Sequence, residues 1–304
     1  RHVGVELEIE DWEKVGLEIP MLVNLQPAGK YLGEDFHRAG GVPAVMNALL
    51  KAGKLHDSAI TVNGKTVADN YADTTTKDTE VIRTFLKPML ENAGFIVLKG
   101  NIFDSAVMKT SVISDSFRSQ YLDKPGSLNI FEARAIVFEG PEDYHSRIND
   151  PQLNIDVDCI LVIRGCGPVG YPGSAEVVNM QPPDRLIREG ILELPTLGDG
   201  RQSGTSASPS ILNASPESAV GGGLALLKTG DMLRIDLNQG SLDVMLDKSE
   251  LQKRHDQLKT EEIENQTPWQ EIYRNTVGQL SSGGIIELAA KYRKIRNTIP
   301  RHSH

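Results

Sequence analysis

Cys159-Ile160-Leu161-Val162-Ile163 runs without a charged side chain almost directly into Gly165-Cys166-Gly167-Pro168-Val169-Gly170-Tyr171-Pro172-Gly173. An apolar, β-branched run of this length bounded by turn formers reads as a buried strand. The loop behind it literally spells G-x-G-x-x-G, the glycine pattern of a dinucleotide-binding turn. That turn needs a helix to begin at the glycines so that its N-terminus meets a pyrophosphate. Pro168 and Pro172, with Gly170 and Gly173, keep the segment irregular, so a nucleotide site is rejected. What remains is a rigid loop at a strand end, where backbone amides can approach a ligand closely.

Elsewhere the chain alternates strand and helix patterns. Val42, Val45, Met46, Leu49 and Leu50 recur at helical spacing, with Gly53 as a C-terminal cap. Ile60 to Asn63 and Thr66 to Ala68 read as a small hairpin turned by Asn63-Gly64, and Asp69 to Asp78 as a polar loop. Gly94 to Leu98 is a short buried strand broken by Lys99-Gly100-Asn101. Ala135 to Phe138 is another strand, and Pro141 to Arg147 a helix before the Cys159 run. Met232 to Leu237 and Leu242 to Leu246 alternate in polarity around Asn238-Gln239-Gly240, a β-hairpin. From Glu250 onward the pattern is helical, divided at Gly283-Gly284, with Leu251, Trp269, Ile272, Tyr273, Val277, Ile285, Leu288 and Tyr292 expected to pack back onto the body.

At 304 residues the chain exceeds what one core usually fills, about 250 to 300 residues. A linker at Pro125-Gly126-Ser127 and a domain boundary between residues 100 and 130 follow. The organisation expected is α/β: the end of an α/β domain over residues 1–110, a β-barrel-like domain with flanking helices over 111–255, and a helical C-terminal extension over 256–304. Apolar residues at 39% and charged residues at 24% fit a globular chain. A net charge of −9 without a Lys/Arg-dense patch argues against a nucleic-acid partner. The apolar runs are too short to span a bilayer and no secretory signal opens the chain, so a cytoplasmic protein without a membrane partner is expected. Cys159 and Cys166 match no zinc spacing and are expected to be reduced thiols. The start at Arg1, without Met, suggests that the segment begins inside a longer polypeptide.

Two segments hold candidate chemistry. Glu176, delivered just past the rigid loop, can serve as a hard oxygen ligand for a divalent cation, although spacing alone favours a solvated surface glutamate. Ser203, Thr205, Ser206, Ser208 and Ser210 follow Gly198-Asp199-Gly200-Arg201-Gln202. Such a stretch is usually a loop or cap, but a hydroxyl beside a cationic centre can act as a base.

Several longer strings carry a resemblance: Asn24-Leu25-Gln26-Pro27-Ala28-Gly29-Lys30-Tyr31-Leu32, Glu34-Asp35-Phe36-His37-Arg38-Ala39-Gly40-Gly41, Val97-Leu98-Lys99-Gly100-Asn101, Gly167-Pro168-Val169-Gly170-Tyr171-Pro172-Gly173 and Asp199-Gly200-Arg201-Gln202-Ser203-Gly204-Thr205. In their order they resemble the C-terminal half of the dihydroxy-acid dehydratase and phosphogluconate dehydratase family, in its sugar-acid branch acting on L-arabinonate or D-xylonate. The resemblance implies the barrel and a hydro-lyase that converts an aldonate to its 2-keto-3-deoxy acid. It also implies Mg2+ and an iron-sulfur cluster of the two-iron, two-sulfur type, a sugar-acid substrate, and a homodimer or homotetramer. By motif position Glu176 corresponds to a magnesium ligand, Ser203 to the base that takes the C2 proton, and Thr205 to a substrate-holding hydroxyl.

The sequence departs from the family's pattern in lacking the cluster cysteines and the remaining magnesium carboxylates, which the resemblance assigns to the N-terminal half of the same enzyme. Alone, the chain is therefore expected to be inactive. Two alternatives stand beside this reading: an inactive fragment or scaffold, and a dihydroxy-acid dehydratase of branched-chain amino-acid synthesis.

Overall fold

The computed structural model describes residues 2–204, 206, 208–259 and 263–292. Their contacts divide the chain into two units, one of residues 14–95 with 110–112 and one of residues 1–13, 96–109 and 113–304. Among the described residues the strands are β1 (Phe95–Gly100), β2 (Phe103–Lys109), β3 (Ile130–Glu139), β4 (Cys159–Arg164), β5 (Thr196–Gly198), β6 (Ser210–Ser215), β7 (Met232–Asp236) and β8 (Ser241–Val244). The helices are α1 (Glu10–Gly16), α2 (Gly33–Arg38), α3 (Gly41–Lys51), α4 (Val67–Tyr71), α5 (Asp115–Phe117), α6 (Gly140–Arg147), α7 (Asp184–Arg188), α8 (Lys248–Gln257), α9 (Pro268–Thr276) and α10 (Glu287–Ala290). None is long and apolar enough to cross a membrane.

The strands close into a mixed barrel in the order β1-β2-β6-β5-β4-β3-β7-β8. β3, β4, β5 and β6 run parallel to their neighbours in that series. β2 meets β6, and β3 meets β7, antiparallel. The ring is completed by a parallel pairing of β8 with β1 at Ser241 and Lys99. Period-two alternation divides the apolar runs between two faces. Ala133, Ala135, Val137, Ile160 and Val162 face one core. Ile136, Phe138, Leu161 and Ile163 face a second, shared with Val178, Leu186 and Leu194. Burial on both faces is why β4 reads as an uninterrupted hydrophobic run.

The helix over α3, the strands at 135–138 and 159–163, the helix α6 and the β7–β8 hairpin form as expected from the sequence. Gly53 follows α3 with φ +66°, the left-handed conformation of a helix stop. The hairpin expected at residues 60–68 shrinks to one bridge, Ile60 to Thr66. There Thr66 Oγ1 accepts from the Asp69 amide and Asp69 Oδ2 accepts from the Thr66 amide, a capping box that starts α4. Lys99 and Gly100 do not break β1 but extend it. Pro125-Gly126-Ser127 is a turn leading into β3, with the Ser127 amide donating to Lys124.

The smaller unit holds α2 to α4 around Ala39, Ala44, Val81 and Ile82. Short bridges join Met21 to Leu90 and Val23 to Ile82. Asn47, 3% exposed, donates to the carbonyls of Tyr71 and Ala72 and ties α3 to the end of α4.

Candidate active site

The loop after β4 is held by two buried carboxylates. Asp199, immediately after β5, is fully buried. It accepts from the amides of Gly165 (3.0 Å), Cys166 (2.9 Å) and Ser218 (2.9 Å) and from Ser218 Oγ (2.7 Å). Glu217, also fully buried, accepts from the amides of Val169 (2.9 Å) and Gly170 (2.9 Å) and from Gln279 Nε2 (2.9 Å). The Glu217 amide in turn donates to Gln279 Oε1 at 2.8 Å. Burial raises the Glu217 pKa, the three donors lower it, and the Asp199 charge raises it. These loop amides, expected from the sequence to be available to a ligand, are therefore occupied by the protein's own acids. No helix begins at the glycines, in keeping with the rejected nucleotide reading.

Glycine makes this packing possible. A Cβ on Gly167 would lie 2.4 Å from the Glu217 carboxylate, and one on Gly170 2.2 Å from the Gly165 carbonyl. Gly200 meets Ala175 the same way, with its Cβ position 2.8 Å from the Ala175 carbonyl. That approach lets the chain after the loop run beside the chain after β5. The Arg201 amide donates to the Ala175 carbonyl (2.7 Å) and the Val178 amide to the Arg201 carbonyl (3.1 Å), pairing Glu176 with Arg201. On the other side the Asn213 amide of β6 donates to the Gly200 carbonyl.

Glu176 is half-exposed, and its carboxylate lies 4.0 Å from the Arg201 guanidinium, whose Nε donates to the Ser174 carbonyl. Ser203 follows two residues after Arg201 and is partly buried. Its loop is ordered by further hydrogen bonds: the Ser206 amide donates to the Ser203 carbonyl, and Gln202 Nε2 donates to Ser206 Oγ and the Ser208 carbonyl. Ser210 Oγ accepts from Thr196 Oγ1 at 2.8 Å. Thr205 lies outside the described residues. The structure thus brings the Glu176 and Ser203 segments side by side at one end of the parallel strands. A separate cleft of 660 Å³ opens beside Gly165 and Tyr171, between Glu139, Arg164 and Lys259, and neither Glu176 nor Ser203 lines it.

Glu176 offers a hard, accessible oxygen donor and fits a magnesium ion, but as one ligand of several: among the described residues no group of three or more His, Cys, Asp or Glu side chains could hold a metal. The cysteines do not fit an iron-sulfur cluster. Both are buried, and burial pushes the Cys159 thiol up to about 11 and raises Cys166 further, with the charges of Asp199, Glu142 and Glu217 adding to the shift. A cluster is ordinarily held by four cysteine thiolates, and the sequence has two cysteines.

The chain belongs to the dihydroxy-acid/6-phosphogluconate dehydratase family, matching the family's C-terminal domain over residues 80–284 and its N-terminal domain over residues 1–70. It is 58% identical to the D-xylonate dehydratase of Caulobacter vibrioides over all of this chain and 51% of that protein. It is 42% identical to the L-arabinonate dehydratase of Rhizobium leguminosarum bv. trifolii over 83% of this chain and 42% of that one. The dihydroxy-acid dehydratase of Acetivibrio thermocellus is 33% identical over 94% of this chain and 49% of its own length. The chain is more similar to the two sugar-acid dehydratases than to this dihydroxy-acid dehydratase, and it spans about half the length of these relatives.

Proposed function

We propose that this chain is the C-terminal half of a hydro-lyase that converts an aldonate to its 2-keto-3-deoxy acid. Higher identity to the D-xylonate and L-arabinonate dehydratases than to the dihydroxy-acid dehydratase supports a sugar-acid substrate. The observation that carries the reading is the hydrogen-bonded pairing of residues 175–178 with Arg201, which sets Glu176 beside the segment leading to Ser203.

In this reading Glu176 supplies one oxygen ligand to a magnesium ion. Such an ion would supply Lewis-acid chemistry that makes the proton on the substrate C2 easier to remove. Ser203 Oγ, in its deprotonated form, takes that proton. The C2 electron pair forms the C2–C3 double bond as the C3–oxygen bond breaks, hydroxide leaves as water on gaining a proton, and the enol tautomerises to the keto acid. Thr205 helps to hold substrate hydroxyls. Arg201, on the same paired segment, keeps Glu176 in place through the Ser174 and Ala175 carbonyls. The remaining magnesium ligands and the iron-sulfur cluster are held by the N-terminal half.

Ser203→Ala in the complete enzyme tests this mechanism. Loss of a positioned base lowers turnover and C2 proton exchange by about 100- to 10,000-fold. Proton exchange into deuterated solvent, followed by NMR, is expected to fall in step with turnover while cluster and metal content stay unchanged. Near-normal exchange would remove Ser203 from the role, and a loss of about 1 kcal/mol in stability with intact chemistry would mark a capping serine instead.

A further inference from the structure

We propose that Glu217, paired with Gln279, is a positioning residue for Glu176: it fixes the 165–176 loop against the C-terminal segment and so sets where the metal-ligand carboxylate stands. The inference rests on the reading of Glu176 as a magnesium ligand. Glu217 does not reach the site itself. It grips the loop at Val169 and Gly170, while Asp199 grips it at Gly165 and Cys166. Arg201 closes the far end at Ser174 and Ala175. Between these anchors the loop is cross-tied by the Tyr171 amide on the Gly165 carbonyl and the Ser174 amide on the Gly167 carbonyl. Arg274 of α9 adds a bond from Nε to the Val169 carbonyl at 3.1 Å.

The two-way exchange between Glu217 and Gln279 spans 62 residues of sequence. It is the only use the described structure makes of both polar ends of the Gln279 side chain. A buried carboxylate that spends both oxygens on two amides and one side-chain amide holds its partners in one arrangement. Outer groups that orient a metal ligand commonly change metal affinity by about 10- to 100-fold when removed.

The test uses the complete enzyme. Glu217→Gln turns one carboxylate oxygen into an amide donor that faces other donors. It is expected to speed hydrogen exchange across peptides covering 165–176 and to raise the Mg2+ concentration for half-maximal activity about tenfold. Turnover at saturating Mg2+ stays within about twofold, because no reacting group is removed. The double exchange Glu217→Gln/Gln279→Glu restores the donor and acceptor count and is expected to bring both readouts back toward wild type. Unchanged loop exchange in Glu217→Gln overturns the proposal, and so does faster exchange with a wild-type Mg2+ requirement. Should Glu217→Gln not fold, Gln279→Ala keeps the carboxylate and its amide bonds; it is expected to shift both readouts in the same direction, and no shift overturns the proposal. Glu176→Gln, measured in parallel, separates the two ideas. A normal Mg2+ requirement in that variant rejects the metal-ligand reading, whereas loop exchange in Glu217→Gln reports on the clamp independently.

Discussion

Burial and hydrogen bonding pull Glu217 in opposite directions, and burial wins, so its folded pKa stands above the ordinary 4.5. A raised value means that the folded chain binds this proton more tightly than the unfolded chain does. Its penalty is therefore fully present above the folded pKa and is relieved as the pH falls toward the ordinary value. Asp199 is the charge that faces it, and Gln279 and the loop amides are neutral. Urea midpoints from neutral pH downward should show wild type gaining on Glu217→Gln as the pH falls; a constant gap would contradict the sign. Gly170→Ala tests the same packing without charge. The added methyl would strike the Gly165 backbone, and overpacking of this kind costs about 1 to 3 kcal/mol, read as a lower thermal midpoint. Neither acid was legible as an anchor in the sequence, because they lie 33 and 48 residues from loop amides they hold. The glycines were legible as a tight loop. What they accommodate was not.

Helices and hairpins record their own local patterns, so α3, α6 and the β7–β8 hairpin could be read directly. The Thr66-x-x-Asp69 capping box was also present in the sequence, and its reciprocal bonds outweigh the strand-like Thr66-Val67-Ala68. The C-terminal helices are instructive in the other direction. Trp269, expected to pack inward, is 77% exposed, and Ile272, Leu288 and Tyr292 are exposed as well. Leu251 does pack against the barrel core as expected, but other attachments of the segment are polar, and these have no periodicity to read. Arg254 of α8 shows this most clearly: it pairs with Asp231 at 2.6 and 3.1 Å and donates to the Leu226 carbonyl, with both charged side chains about nine-tenths buried. Asp231→Ala leaves the guanidinium only Glu250 and the Leu226 carbonyl, and the loss of its buried partner should cost up to about 3 kcal/mol of stability by chemical denaturation. A change under about 0.5 kcal/mol would mean that the pair is solvated in practice.

For the molecule as a whole, the barrel was expected from family resemblance rather than from pattern, since its closing contact joins Lys99 to Ser241 and no local rule specifies so distant a register. The chain's share of its relatives' length carries a further expectation. Anaerobic reconstitution of these 304 residues with iron and sulfide should give no stoichiometric visible absorbance, because two buried cysteines cannot supply the four thiolates that ordinarily hold a cluster. A full complement of cluster on this chain would overturn the assignment of its ligands to the other half. Closure of the sheet also limits how the barrel can meet anything else. Every strand already has a neighbour on each side, so no row of unsatisfied amides and carbonyls is left to template the addition of a foreign strand. Whatever binds the barrel must recognise side chains and loop tips. Among its described strands, a barrel built this way lacks the sticky rim that makes open sheets polymerise.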